Sequence, residues 1–325
     1  MTVTASRGTA TSRLFVLLAR SARVGVIFRR GPSKRVLLVR WDLAADAFEA
    51  GQWLKGRIFE RRCDLSPNGE YLLYFAASFR PPVFSWTALS RPPYLTALAL
   101  WPKGDAWGGG GLFESGRRIL LNHPESEMSM VEGMRVRVRD LRVSQMPNAG
   151  RGEDGPIVRE RMARDGWTLV QEARWGEHSA TARVAWRADA PATWSKRQPH
   201  RHPMVSLRMR ILGIHERQGP WYVTHFDVLD RGGTVQRDLG VLDWADWDAN
   251  GDLLFALKGT VNRLAAAQVL TGRPLPLVDL SGLTFEERPP VREATQWKAD
   301  RPRGVELPRV KMTPVRATEM RRDDR

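Results

Sequence analysis

One short phrase constrains this chain more than any other, a tight turn followed at once by an apolar run. In "CDLSPNGEYLLYFA" (63–76), Pro67 presets φ for a turn and Asn68-Gly69 supplies the positive φ that closes it. The run after it is bounded by turn signals and is too short for a typical helix, which predicts a buried strand. Similar phrases stand at "ARDGWTLVQEA" (163–173) and "WDANGDLLFALKG" (247–259), with a looser one at "LFESGRRILLNH" (112–123). Gly69 and Gly116 are 47 residues apart, Gly116 and Gly166 are 50, and Gly166 and Gly251 are 85, about two periods. A period of roughly 40–50 residues built from short strands is the mark of propeller blades. The spacing therefore predicts that Gly69, Gly166 and Gly251 occupy equivalent turns, each leading into an inner, buried strand. A β-sandwich or a pair of β-rich domains are the competing architectures.

The segments between these turns are strand-like as well. Apolar runs separated by polar turns fill 13–43 and predict a meander. "MRVRVRDLRV" (134–143) alternates Met134, Val136 and Val138 with Arg135, Arg137 and Arg139, the pattern of a half-buried strand. Runs at 205–215 and 220–229 continue the theme. Helix is expected in only two short places, "LAADAFEAGQWL" (43–54) and "TVNRLAAAQVL" (260–270). The reading is an all-β chain with a flexible start (1–12), a β-propeller-like domain (13–285) and an extended or disordered tail (286–325). Loops are expected at "PNAGRGEDGP" (147–156) and "DAPATWSKRQPHRHP" (189–203).

The turn–strand phrase resembles that of WD-repeat-like propellers, in which S-P-[DN]-G precedes an apolar inner strand. The likeness is clearest at 64–76 and extends to 161–173 and 247–259; the Gly-His and Trp-Asp marks of regular WD repeats are missing at the expected blade positions. It implies a non-enzymatic binding or scaffold role, with loops presented to a protein partner, and about 47 residues per unit across 14–290 predicts five or six blades. The alternative is an enzyme acting on a small or sugar-like substrate at the central channel, with Asp64, His123 and Asp246 as candidate acids and bases.

Charge adds a second possibility. The formal net charge is +15, and residues 1–40 hold eight Arg and Lys34 with no Asp or Glu. In a meander, the turn "RRGPSKR" (29–35) gathers Arg29, Arg30, Lys34 and Arg35 on one rim, a candidate dock for nucleic acid or another polyanion. The opposing reading is that acidic loops of the same chain neutralise them. His200 and His202 have ligand-like spacing. Asp246, Asp248 and Asn250 match the opening of a calcium loop, but Leu257 stands where that motif needs its Glu. An inter-strand turn with aspartate caps explains the same residues, and no cofactor is expected. A single cysteine, Cys63, excludes an intramolecular disulfide and suits a reducing cytoplasm. No apolar run approaches membrane-spanning length, so a soluble cytoplasmic protein is expected.

Overall fold

The computed structural model describes residues 12–297 except 32–33, 139–140, 151, 201–204 and 218. Among them, the strands form five sheets in chain order. The first is a four-stranded meander of Arg13–Leu18, Val24–Arg30, Arg35–Asp42 and Ala47–Lys55. The second contains Arg57–Ile58, Asp64–Leu65, Leu72–Ala77, Ser85–Ser90 and Ala99–Pro102. The third joins Gly111–Ser115 and Arg118–Leu121, with Arg142–Gln145 added in parallel. The fourth is the largest, built on the long strands Val184–Arg197 and Ser206–Glu216. The fifth repeats the meander with Trp244–Trp247, Leu253–Leu257, Thr260–Leu264 and Leu275–Asp279. The fold is all-β and propeller-like.

The sheets pack face to face through separate apolar cores. Val26, Phe28 and Leu38 of the first sheet meet Leu65, Leu72 and Tyr74 of the second. Leu73, Leu89 and Trp101 of the second meet Phe113, Ile119 and Leu121 of the third. Leu207, Met209 and Phe226 of the fourth meet Trp247, Leu253 and Phe255 of the fifth. Trp244, Leu254 and Val261 of the fifth return to Val16, Val39 and Trp41 of the first. Between the third and fourth sheets stands helix α1 (Gly155–Arg164). Its Ile157 packs on Leu112 and Leu120, and its Met162 on the core of the fourth and fifth sheets. Large indoles suit such interfaces, because a flat side chain spans the space between two sheet faces. After the last strand, Phe285 packs edge-on against Trp53 of the first sheet, and Trp297 lies beside Tyr71 in the core of the second and third. Residues 298–325 and 1–11 of the expected tail and start lie outside the described residues.

Two of the predicted turns are alike in detail. Gly69 donates its N–H to Ser66 O and Gly251 donates to Asp248 O, at φ of 73° and 82°. The runs that follow are strands and almost wholly buried, Leu72–Ala77 and Leu253–Leu257. The strands before the turns, Asp64–Leu65 and Trp244–Trp247, carry Asp64 and Asp246.

The third turn is a different object. Gly166 N–H bonds to Ala163 O and Trp167 N–H to Met162 O, which is the glycine-closed end of helix α1. The strand beyond, Thr168–Gln171, is mostly exposed. The equivalence predicted for Gly166 fails, because a helix C-terminus and a hairpin turn both need positive φ and so select the same Asp-Gly pair.

Other expectations are corrected by tertiary contacts. The segment 43–54 is a turn followed by strand Ala47–Lys55, which pairs with Arg35–Asp42 and buries Phe48. The segment 260–270 is a strand, Thr260–Leu264, then one short 3-10 turn. In both, a waiting strand edge overrides an Ala-rich, helix-prone sequence. Residues 134–138 do alternate between half-buried and exposed, with Val136 and Val138 against the core, yet they pair with no strand. The glycine run at 108–111 is a packing device. A Cβ at Gly109 would sit 2.2 Å from the Phe75 ring and one at Gly110 2.2 Å from Arg62 O.

Candidate functional site

A cavity of about 490 Å³ opens between residues of the first, second, fourth and fifth sheets and helix α1. Its wall is made by residues 15–20 of the first strand and the turn after it, Arg61 and Asp64 at the second sheet, and one face of α1. Met209, Thr224 and Phe226 of the fourth sheet and residues 243–249 of the fifth complete it. Strand alternation sends Phe226 and Thr224 to the same face, so the lining mixes aromatic surface with charge.

Most of that charge is internally matched. Arg164 holds Asp64 through two bonds, Nη1 to Oδ2 at 2.6 Å and Nη2 to Oδ1 at 3.0 Å, and its Nε reaches Asp165 Oδ1 at 2.8 Å. Burial opposes the Arg164 charge, but Asp64 and Asp165 outweigh it and hold the guanidinium above its usual range. Asp64 Oδ2 also accepts Phe113 N–H at 2.7 Å, so this carboxylate ties the second sheet to the third and to α1. Arg161, almost wholly buried, donates to Cys63 O. On the opposite wall Lys196 Nζ lies 2.7 Å from Asp246 Oδ1, which also accepts Trp247 N–H. Burial raises the Asp246 pKa and Lys196 counters it.

Asp243 differs from these. Its Oδ2 accepts Leu14 N–H at 3.3 Å, and burial pushes its pKa up to about 6 against the opposing pull of that N–H and of Arg13. A carboxyl poised there can give or take a proton near neutral pH. The acidic run 243–252 held this residue, but its low-polarity setting arises only when the first strand closes over it.

The predicted site residues fall in several places. Asp64 and Asp246 are brought together on the cavity wall, each in an ion pair. His123 is not with them: it is fully buried between the second and third sheets, with Nε2 2.7 Å from Thr87 Oγ1 and Nδ1 3.0 Å from Glu127 O. Asp248 Oδ1 caps its own turn by accepting the N–H groups of Asn250 and Asp252, and Asn250 is exposed at the tip. His200 is exposed, and His202 lies outside the described residues. Among the described residues, no three His, Cys, Asp or Glu side chains are grouped to hold a metal ion.

The four cations of 29–35 are dispersed. Arg29 is 1% exposed and donates to the carbonyls of Leu280, Ser281 and Gly31. Arg30 Nε pairs with Glu60 Oε1 at 3.0 Å. Lys34 and Arg35 are exposed, Arg35 standing 4.4 Å over the Phe285 ring. No helix among the described residues is long and apolar enough to cross a membrane. No protein-family model matches the chain, and no curated protein matches it.

Proposed function

We propose that this protein is a binding protein that takes a small ligand into this cavity, on a frame of the WD-repeat-like kind suggested by the turns at 66–69 and 248–251. The observation that carries the reading is the cavity itself. Its volume of about 490 Å³ lies within the span of small-molecule sites, roughly 300–1,000 Å³, and its wall combines aromatic faces with a few fixed polar groups. The internal pairing of Arg164 with Asp64 and of Lys196 with Asp246 leaves the wall preformed, so little ordering is needed on binding. This reading puts a ligand held in the cavity in place of the expected protein partner docked on loops.

The test is thermal melting against a panel of small acids, sugars and nucleotides. A ligand at a hundred times its Kd raises the melting temperature by about 5 °C in a chain of this size. Val158, half-buried on the cavity side of α1, is the position to block. Val158→Trp is expected to fold and to abolish the shift. A panel without effect on the wild type, or an equal shift in Val158→Trp, rejects the reading.

A further inference from the structure

At one end the cavity meets a smaller recess, of about 100 Å³, with which it shares Phe15, Arg61, Thr224 and Asp243. Four arginines converge on this recess, Arg13 and Arg30 of the first sheet, Arg57 of the second and Arg61 of the 3-10 turn after it, and Glu60, Asp154 and Asp243 share its wall. Arg13 and Arg30 stand directly opposite each other across neighbouring strands, an arrangement that like charges disfavour. Burial and each other's proximity lower the pKa of Arg13, and burial and Arg30 lower that of Arg57.

Asp243, Glu60 and Glu216 pull the other way on Arg13, and Glu60 and Asp154 on Arg57, without outweighing burial and the neighbouring arginine. Glu60 is taken by Arg30, and Asp154 by Arg62 at 2.5 Å and the Tyr222 hydroxyl at 2.6 Å. Glu216 is held by Arg183 at 2.6 Å. Among the described residues, Arg13, Arg57 and Arg61 have no carboxylate within ion-pairing distance. The Arg57 Nε is buried without a hydrogen-bond acceptor, its guanidinium resting 4.4 Å over Phe59 and 5.6 Å from Trp221. Arg61 lies 3.8 Å over Tyr222. A buried donor without an acceptor is costly, and several cations around one hollow make the cost larger.

We propose that this recess binds the anionic head of a small ligand, a carboxylate or a phosphate, held by Arg13, Arg57 and Arg61. The recess has room for one such group, and the body of the ligand extends past Thr224 into the larger cavity. The inference rests on the ligand-binding reading for its second half only. The recess is concave and walled by aromatic rings, which suits a single head group rather than the backbone of a nucleic acid.

The experiment titrates full-length protein with inorganic phosphate, acetate and heparin at low ionic strength, following intrinsic tryptophan fluorescence and binding heat by calorimetry. Phosphate or acetate is expected to saturate, and the one that does so at lower concentration assigns the head group. Arg57→Gln and Arg61→Gln should each weaken that binding by about 10-fold, the effect of losing one charge-assisted hydrogen bond. Circular dichroism confirms that each variant is folded, and Arg61→Gln keeps the test open if Arg57→Gln is not. Val158→Trp should leave the head-group binding intact, so failure of the cavity reading is separable from failure of this one. Absence of saturation by both small anions overturns the inference. So does binding of heparin that is lost in Lys34→Ala/Arg35→Ala but not in Arg61→Gln.

Discussion

The wall of the cavity and the recess at its end handle charge in opposite ways. Along the wall, Arg164 meets Asp64 and Asp165, and Lys196 meets Asp246. At the recess, Arg13, Arg57 and Arg61 stand without an ion pair, while Glu60 on the same wall is paired with Arg30 and Asp154 with Arg62. The wall is complete as the chain folds. The recess is complete only when something negative enters it. Buried pairs lend shape and are severely missed when halved, whereas unpaired cations lend affinity at some expense in stability.

The comparison breaks most visibly at Arg164. Arg164→Ala leaves Asp64 buried without its cation, and a loss of about 3–5 kcal/mol is expected in urea or guanidinium unfolding. A loss below about 1 kcal/mol would mean that the pair does not support the wall. Replacing both partners by apolar residues should restore part of the loss, since no orphan charge then remains.

Asp243, between wall and recess, sharpens the comparison through pH. Its folded-state pKa of about 6 lies above the ordinary 3.8. Its ionisation is therefore easier in the unfolded chain, and stability present below about pH 4 is lost as pH rises through 6. Asp243→Asn removes that loss. Relative to the wild type, the variant should gain about 2 kcal/mol more at pH 8 than at pH 4. Equal differences at both pH values would show that the carboxyl is not held in the low-polarity setting described.

The smallest effect belongs to the recess without ligand. Arg13→Gln removes one of two like charges facing each other across a strand pair, and a gain of about 0.5 kcal/mol is expected at low salt. Half-molar salt should shrink the gain, because screening already weakens the repulsion. A substantial loss instead would place Arg13 with the structural arginines of the wall.

Particular residues show how far the sequence could be read. Ser66-Pro67-Asn68-Gly69 and Asp248-Ala249-Asn250-Gly251 announce their turns, because the requirement for positive φ is local and only a few residue types meet it. Asp165-Gly166 carries the same letters and closes a helix. The signal that separates the cases was present upstream: Asp154 before Gly155-Pro156, with Pro in the first turn and Gly just past the end, frames α1. The cavity left fainter marks. Asp64 and Asp246 stood out as acids, but Arg164 and Lys196 are distant in sequence from them and could not be matched to them.

The chain by itself determined its class and its local geometry. Short apolar runs between φ-positive turns exclude long helices and commit the residues to strands, and those choices depend on backbone sterics and nearest neighbours. Which strands line the cavity, whether 43–54 is helix or strand, and which arginine has a carboxylate were decided only by tertiary structure. Strand pairing, desolvation and ion pairing act between residues 100 or more positions apart, as Asp64 and Arg164 are. Their strength depends on what surrounds them once the sheets have packed, which is why Arg164 is held by two acids and Arg57 by none.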